Sequence, residues 1–545
     1  MAELAEGLLA ALDSEQRAVA TAVRGPVCVI AGAGTGKTRA ITHRIAYAVE
    51  IGAIEANRIL ALTFTARAAG EMRARLRGLG VPNVAARTFH SAALKQLLYF
   101  WPQALGGRFP QLLTKKTGFL GEAIERAGVS ITKSPSLLRD LASEIEWAKV
   151  LGLPSDAYTQ SASEAGRKIR TGKRSLNFDE VAQIYEAYES IKRQERAIDF
   201  EDVLLLTVGM LEEDREVRDR VRDQYRYFTV DEYQDVSPLQ QRLLDLWLGK
   251  RSDICVVGDP AQTIYSFAGA TPAFLLNFTN KYPAAEVIRL SSGYRSTPEI
   301  INLANTILRS GQLGHDLGAV NEHGELPSAR TFSDAAAEVI ALVESVTELI
   351  ASGVSPQSIA ILTRTNSELE RIESALAQAG IESQIRSADR FFDRPEVREM
   401  ISLIRSGSVL SQGSDWLQEV RDLLRGQSSP YARAIIQLAQ ESTNDGITTL
   451  RAFLRELEER AEQNNPPALP GVTLSTLHGA KGLEWEVVYL AGASEGNLPW
   501  PDAQLGEERR LFYVGITRAK RTLSISYAGR PSPFLIEAGL AAPIQ

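Results

Sequence analysis

The sequence predicts an α/β chain in which two parallel-sheet units are each interrupted by a mostly helical insertion. Three observations in its 545 residues carry that prediction. Strand and helix patterns alternate through two separate regions, as crossover-connected parallel strands require. The stretch "GPVCVIAGAGTGKT" reads as buried strand, glycine loop and helix start. From about 90 to 196, and again from about 391 to 468, β-branched runs thin out and helical spacing takes over.

After the glycine loop, "RILALTFTARAAGEMRARLRGLG" repeats strand then helix. Its three–four spacing through Ala69, Met72 and Leu76 marks one buried helix face. "LLRDLASEIEWAKVLGL" typifies the first helical insertion, while "YRYFTVDEY" and "SDICVVGDP" read as buried strands ending in acidic residues. The second α/β set is expected from near 284, with strands "AEVIRL", "SIAILTRT", "VTLSTLHG", "WEVVYLAG" and "TLSISYA". The Pro/Asn-rich "EQNNPPALPG" ends its helical interruption as a linker. The expected domains are therefore 1–89 with 197–283, an insertion at 90–196, then 284–390 with 469–545, and a short insertion at 391–468.

A composition of 44% hydrophobic and 23% charged residues fits a soluble globular protein. No run of about 18 apolar residues predicts a membrane span. The acidic start "MAELAEGLLAALDSEQ" lacks the basic opening of a secretory signal, so a cytoplasmic location is expected. Cys28 and Cys255 lie in apolar runs and are expected to pack in the core; two isolated thiols make neither a zinc nor an iron–sulfur site. The net charge of −7 does not announce a nucleic-acid binder. It does not exclude one, because screening confines distant charges to about 8–10 Å and a local basic groove suffices.

The chemistry concentrates in short segments. In "AGAGTGKT", Gly32, Gly34 and Gly36, with Ala33 and Thr35 between them, aim backbone N–H groups at phosphate oxygens. Lys37 is placed for the β/γ-phosphates and Thr38 for Mg²⁺, at the positive end of the following helix. In "FTVDEYQD", Asp231 is the Mg²⁺-side carboxylate, and Glu232 is placed to polarise an attacking water. "VVGDPAQTIYSFAGA" sets Gln262, suited to a phosphate, just before the aromatics Tyr265 and Phe267. Arg295 in "GYRSTPEII" and Arg518 in "YVGITRAKRTL" are candidate arginine fingers from the second unit, which makes hydrolysis depend on cleft closure.

Taken in order, these segments resemble a superfamily 1 helicase of the UvrD/Rep/PcrA type. The motifs run "LDSEQRAV", "AGAGTGKTR", "LTFTARAAGEM", "TFHSAAL", "IDFEDVLLL", "VDEYQD", "VVGDPAQTIYSFAGA", "GYRSTPEI", "TLHGAKGLEWEVVYL" and "EERRLFYVGITRAK", spanning 12 to 520. The "TFTARAAGEM" and "YSFAGA" variants look most like the second UvrD-type helicase of actinobacteria. The resemblance implies two RecA-like motor domains forming an ATP- and Mg²⁺-dependent motor. Such a motor moves 3′ to 5′ on single-stranded DNA and tailed duplexes, as a monomer or weak dimer, with DNA repair its setting and repair proteins its partners. A translocase that displaces proteins without robust unwinding is the alternative. The resemblance also assigns roles. Gln16 reads the adenine edge, Arg39 and Tyr294 pack on the base, Glu484 binds the ribose and Gln262 senses the γ-phosphate. Phe64, Tyr265 and Phe267 stack on bases, while Thr63, Thr65, His90, Arg364, Thr476 and His478 meet the strand backbone. Three positions depart from the pattern: Ala268 replaces a common arginine, and Gly293 and Ala66 replace asparagines, removing polar contacts expected around the strand groove.

Overall fold

The computed structural model describes residues 2–542 except 105, 114, 168–169, 172–173, 312–315, 386–390, 411–414, 428, 445–446, 463–466, 468–470 and 502. Two six-stranded parallel sheets organise it. The first contains β1 (Val27–Ala31), β2 (Ile59–Thr63), β3 (Ala85–Thr88), β4 (Tyr227–Val230), β5 (Ile254–Gly258) and β6 (Glu286–Leu290). Their spatial order is β6-β1-β5-β4-β2-β3. Strands β2 and β5 are buried along their whole length, as expected of apolar runs covered by helices on both faces. Cys28 and Cys255 are free and buried on neighbouring strands, as expected.

One expected placement is corrected here. The "AEVIRL" strand does not begin the second α/β set; as β6 it closes one edge of the first sheet, pairing with β1 from Val27–Glu286 to Ala31–Leu290. Alternation identifies a strand but not its sheet, and the chain crosses to the second unit only after Leu290. The second sheet contains β7 (Ser328–Phe332), β8 (Ile359–Thr363), β9 (Ser383–Ile385), β10 (Val472–Thr476), β11 (Trp485–Leu490) and β12 (Ala519–Ala528), in the order β7-β12-β11-β8-β10-β9. Its two edges, β7 and β9, were not expected: both are short and polar, and β7 buries none of its residues fully.

Helix starts follow local chemistry. Thr65 caps the helix Ala66–Gly78 by accepting the Ala68 N–H at 3.1 Å, and Ala69, Met72 and Leu76 form its buried face as the spacing required. At the start of the first insertion, the helix Phe89–Ala104 packs Phe89, Ala93 and Leu97 into the core of the first sheet. The insertion's own core lies further on, around Leu120, Leu141, Trp147, Tyr158 and Tyr188. The second insertion likewise has a separate core, including Val397, Trp416 and Phe453. Most of the predicted linker before β10 lies outside the described residues.

A buried ionic cluster ties the first insertion to the first sheet. Lys149 and Lys192 both reach Asp199 and Asp202, and Asp199 is 0% exposed. Asp199 also caps the helix Phe200–Glu213. Burial pushes the Asp199 carboxyl up, but Lys149, Lys192 and Lys116 overcome this and hold it far below the carboxylate range. Its contribution to stability is thus present above the unfolded carboxyl value near pH 4 and lost as pH falls through the depressed one. Lys149→Met leaves Asp199 and Asp202 undercompensated in the interior. It is expected to cost about 3–5 kcal/mol of unfolding free energy, checked by urea denaturation at neutral pH.

Candidate functional site

The glycine loop joins β1 to the helix Lys37–Glu50. Gly34 and Gly36 adopt φ of 75° and 78°, and both are also approached closely. A Cβ on Gly34 would lie 2.7 Å from Cβ of Arg295, and one on Gly36 would lie 2.7 Å from Nε2 of Gln16. A Cβ on Gly32 would strike Leu317. Glycine is therefore required both for backbone conformation and because the second lobe abuts the loop. Gln16, buried, donates to the Thr35 carbonyl at 3.0 Å, and the Thr35 hydroxyl donates to the Gly32 carbonyl at 2.9 Å. The Ala33 N–H donates to the Tyr513 hydroxyl at 3.4 Å, a bond from the loop to the second lobe. At the rim, Arg39 donates to the Ala11 carbonyl at 2.6 Å, and the half-exposed Tyr294 donates to Asp13.

Strand β4 delivers two carboxylates to this loop. Lys37 Nζ lies 3.6 Å from Glu232, at the start of the same helix as Thr38. Burial, then the neighbouring Glu232, push the Asp231 carboxyl up to about 7. Burial also acts to raise Glu232, but Lys37 and Lys481 outweigh it and hold that carboxyl at about 2. The surroundings thus push the two neighbouring carboxyls in opposite directions. Glu232 sits at φ 52°, a left-handed conformation that costs a non-glycine residue roughly 1–3 kcal/mol and that directs it toward the loop. Gln234, buried beside it, donates to Glu232 and accepts the Asp259 N–H at 3.0 Å. Gln262 is buried and donates to Asp259 at 2.7 Å.

Both predicted arginines come from the second lobe to this cleft. Arg295 donates from Nε to Glu484 at 2.6 Å and from Nη1 to the Thr517 carbonyl at 3.0 Å. Glu484 is thus an ion-pair partner of Arg295 and Lys520. Arg518 is fully buried and donates to the carbonyls of Val514 and Leu483 and to the Thr517 hydroxyl. Burial and the nearby Arg295 lower it to about 9.

Aromatic rings cluster where the segment after Gln262 leaves the cleft. Phe64 stacks on Tyr265 with centroids 5.4 Å apart, and Phe267 lies 5.8 Å from His478 and 6.2 Å from Tyr265. Phe64 is 39% and Phe267 48% exposed, large apolar faces open to solvent. Thr63 ends β2 of the first sheet, Thr65 caps the helix that follows, and Thr476 ends β10 of the second sheet; the Thr63 hydroxyl donates to the Thr65 carbonyl, and the Thr476 hydroxyl accepts the Gly479 N–H. Two further predicted strand contacts are Arg364, whose charge acts on His478, and His90. Arg364 is bound to Glu508 at 2.9 Å and lies over the Trp500 ring. His90 sits on the Phe89–Ala104 helix, its Nε2 buried without a partner, and burial followed by the Lys116 charge lowers it to about 4.

With this geometry in view, comparison with known proteins decides the family. Residues 12–283 match the UvrD/REP helicase N-terminal domain, and residues 288–408 and 418–530 match the UvrD-like helicase C-terminal domain. The chain belongs to the UvrD/Rep helicase family. It is 42% identical to the ATP-dependent DNA helicase UvrD2 of Mycobacterium tuberculosis strain H37Rv, over 98% of this chain and 81% of that protein. It is 30% identical to the ATP-dependent DNA helicase Rep of Escherichia coli K12, over 96% of this chain and 94% of that one. Among the described residues, no helix of this UvrD-family helicase is long and apolar enough to cross a membrane.

Sequence reasoning passed over several residues that knit the two lobes. Lys481, in the quoted "HGAKGLE", donates to Asp235 and to the Gln262 carbonyl, and lies 5.1 Å from the Tyr265 ring centroid. Arg510 donates to the Thr263 carbonyl at 2.7 Å, and Glu507 accepts the Ser266 N–H at 3.0 Å. Their partners are mostly backbone groups, which carry no sequence signal. The departures from the family pattern also gain an explanation. At Gly293 a Cβ would lie 2.6 Å from Ile301, so an asparagine would not fit without repacking. Beside Ala268, a guanidinium arrives from the first insertion instead, as Arg167 donates to the Phe267 carbonyl at 3.1 Å.

Proposed function

We propose that this helicase hydrolyses ATP between its two lobes and uses the cycle to move 3′ to 5′ along single-stranded DNA, separating duplex ahead of it in DNA repair. One observation carries the reading. The segment Gln262–Phe267 places a buried amide at its cleft end and the half-buried Tyr265 and exposed Phe267 rings at the other, and the second lobe bonds it at Gln262, Thr263, Tyr265 and Ser266. Relative movement of the lobes therefore moves the phosphate-side amide and the base-stacking rings together. Aromatic stacking tolerates any base and contributes roughly 1–3 kcal/mol per base, enough to grip a strand and still release it.

In this reading the loop N–H groups and Lys37 hold the phosphates, Gln16, Arg39 and Tyr294 bound the base, and Glu232 orients the attacking water. Asp231 and Thr38 are the residues to hold Mg²⁺. The raised Asp231 carboxyl fits that role, because it is buried beside a second carboxylate and its ionised form calls for a cation. When bound, the ion supplies positive charge to the phosphate oxygens. Arg295 and Arg518 contribute further positive charge from the opposite lobe as the transferring phosphoryl group becomes more negative.

The test is the ATP hydrolysis rate with and without single-stranded DNA, then unwinding of duplexes carrying either a 3′ or a 5′ tail. A rate that does not respond to DNA, or unwinding that needs only the 5′ tail, removes the reading. The compact second insertion favours the alternative of a translocase that strips proteins from a strand. Robust DNA-stimulated movement with no duplex separation is the result that selects it. A narrower expectation concerns one ring: Phe267→Ala weakens single-strand binding by about 1–3 kcal/mol in a fluorescence anisotropy titration. An unchanged affinity makes Phe267 a packing residue.

A further inference from the structure

Arg167, in the first insertion, touches the ring-bearing segment and has none of the roles above. It follows the helix Ser155–Glu164, which closes on Gly166 at φ 63°. The Gly166 N–H donates to the Ser163 carbonyl and the Arg167 N–H to the Ala162 carbonyl, both at 3.0 Å, so this glycine turn fixes where the Arg167 backbone leaves the helix. From there the guanidinium divides its donors. Nε and Nη2 grip Glu144 at 2.9 and 2.5 Å, while Nη1 donates to the Phe267 carbonyl at 3.1 Å.

The insertion side of this link is braced. Glu144 is buried and also accepts the Tyr158 hydroxyl at 2.9 Å, and the guanidinium carbon of Arg167 lies 4.4 Å from the Trp147 ring centroid. Trp147 and Tyr158 belong to the insertion's own core, so the arginine is set by residues that pack independently of the strand site. A second contact lies just beyond Phe267. A Cβ on Gly269 would come within 2.6 Å of Cγ2 of Val150, which seats the far end of the segment against the helix Pro135–Val150. The near end is bonded by the second lobe instead, through Lys481 at Gln262 and Arg510 at Thr263. Between these holds the Phe267 ring is 48% exposed, meeting His478 edge-on, so packing alone fixes little of its orientation.

We propose that Arg167 is a positioning residue for the Phe267 ring: it pins the carbonyl of that residue to the first insertion, holding the ring where a base can stack while the second lobe acts on the other end of the segment. The proposal rests on the single-strand reading above and adds the first insertion to the parts that set the grip. A bond to the backbone orients the ring without covering its open face. The guanidinium is not free to hold a strand phosphate itself, because its side chain is only 15% exposed and Glu144 already takes two of its donors.

The experiment is an anisotropy titration of the full chain with an oligothymidylate of about 16 nucleotides over a range of salt concentrations, beside the dependence of ATP hydrolysis on strand concentration. Arg167→Lys keeps a cation beside Glu144, and with it the insertion's ion pair, but has no planar fork to reach the Phe267 carbonyl as well. It is expected to weaken strand binding about fivefold, the scale of one net hydrogen bond, with the slope of log affinity against log salt unchanged. The strand concentration for half-maximal stimulation of hydrolysis rises by the same factor, and the maximal stimulated rate is retained. In a Phe267→Ala background the substitution costs no further affinity, because the ring it positions is gone. Arg167→Met paired with Glu144→Gln, which leaves no unpaired buried charge, is expected to reproduce these results and guards against local unfolding of the insertion. A slope reduced by about 0.7 makes Arg167 a phosphate contact and overturns the proposal. Losses that add to that of Phe267→Ala overturn it too. If Phe267→Ala binds strands as wild type does, the ring reading itself fails. If Phe267→Ala binds weakly while both Arg167 variants keep wild-type affinity, the positioning role alone is removed.

Discussion

Arg295→Ala is expected to lower the ATP turnover number about a thousandfold or more while ATP affinity changes only a few-fold. The expectation follows from where the side chain sits. Its Cβ is so close to the glycine loop that a methyl group on Gly34 would reach it, while its guanidinium is held by Glu484 and the Thr517 carbonyl. It is thus a cation of the second lobe stationed at the phosphate loop of the first. Negative charge on the phosphoryl oxygens rises in the transition state, so an interaction of this kind acts on turnover more than on binding. Single-turnover hydrolysis beside a fluorescent-nucleotide titration separates the two quantities. Arg295→Lys keeps the charge but not the planar fork and is expected to fall between the two, while Glu484→Gln tests whether the ion pair alone matters. A turnover number within a few-fold of wild type for Arg295→Ala would sink the finger assignment, and an equal loss in Glu484→Gln would reassign Arg295 to lobe docking.

The parts of this architecture legible in the sequence are those written in side-chain chemistry. The glycine loop announced itself because Gly34 and Gly36 need positive φ and Lys37 starts a helix. Asp231 and Glu232 were legible as acids at a strand end. What stayed hidden depends on long-range pairing. Nothing in "AEVIRL" says that its neighbour is Val27–Ala31 and not a strand of the second sheet, since both sheets accept the same alternation. The polar edges β7 and β9 carry little apolar signal because one side of each faces no strand. Residue by residue, the site behaves likewise. Gln16, Lys37, Glu232, Gln262, Arg295 and Arg518 converge on one cleft, whereas Arg364 is engaged by Glu508 and His90 opens onto a separate cavity. Ion-pair partners such as Glu508 lie more than a hundred residues from the groups they hold, a distance at which composition and spacing are silent.

Lys481→Met is expected to abolish most of the stimulation of ATP hydrolysis by single-stranded DNA, by about tenfold or more, because it cuts a side chain that touches both functions. Its ammonium bonds Asp235 just after Glu232, bonds the carbonyl of Gln262, and lies over the ring of Tyr265. Burial, opposed by Lys481, leaves the Asp235 carboxyl at about 6, and its Oδ1 is buried without a partner. Without the ammonium, Asp235 takes up a proton, Gln262 loses the anchor on its carbonyl, and Tyr265 loses a cation–π contact of about 0.5–2 kcal/mol. The expected signature is a drop in the ratio of stimulated to basal rate that exceeds the loss in strand affinity. Breaking a buried pair also destabilises, so the decisive comparison is Lys481→Met with and without Asp235→Asn. If Lys481 serves only to neutralise Asp235, the double variant recovers both stability and stimulation. If it transmits strand occupancy to Gln262, the double variant recovers stability alone. Full stimulation in the single variant would place the coupling elsewhere, with Arg510 and Glu507, which bond the same segment at Thr263 and Ser266, next in line.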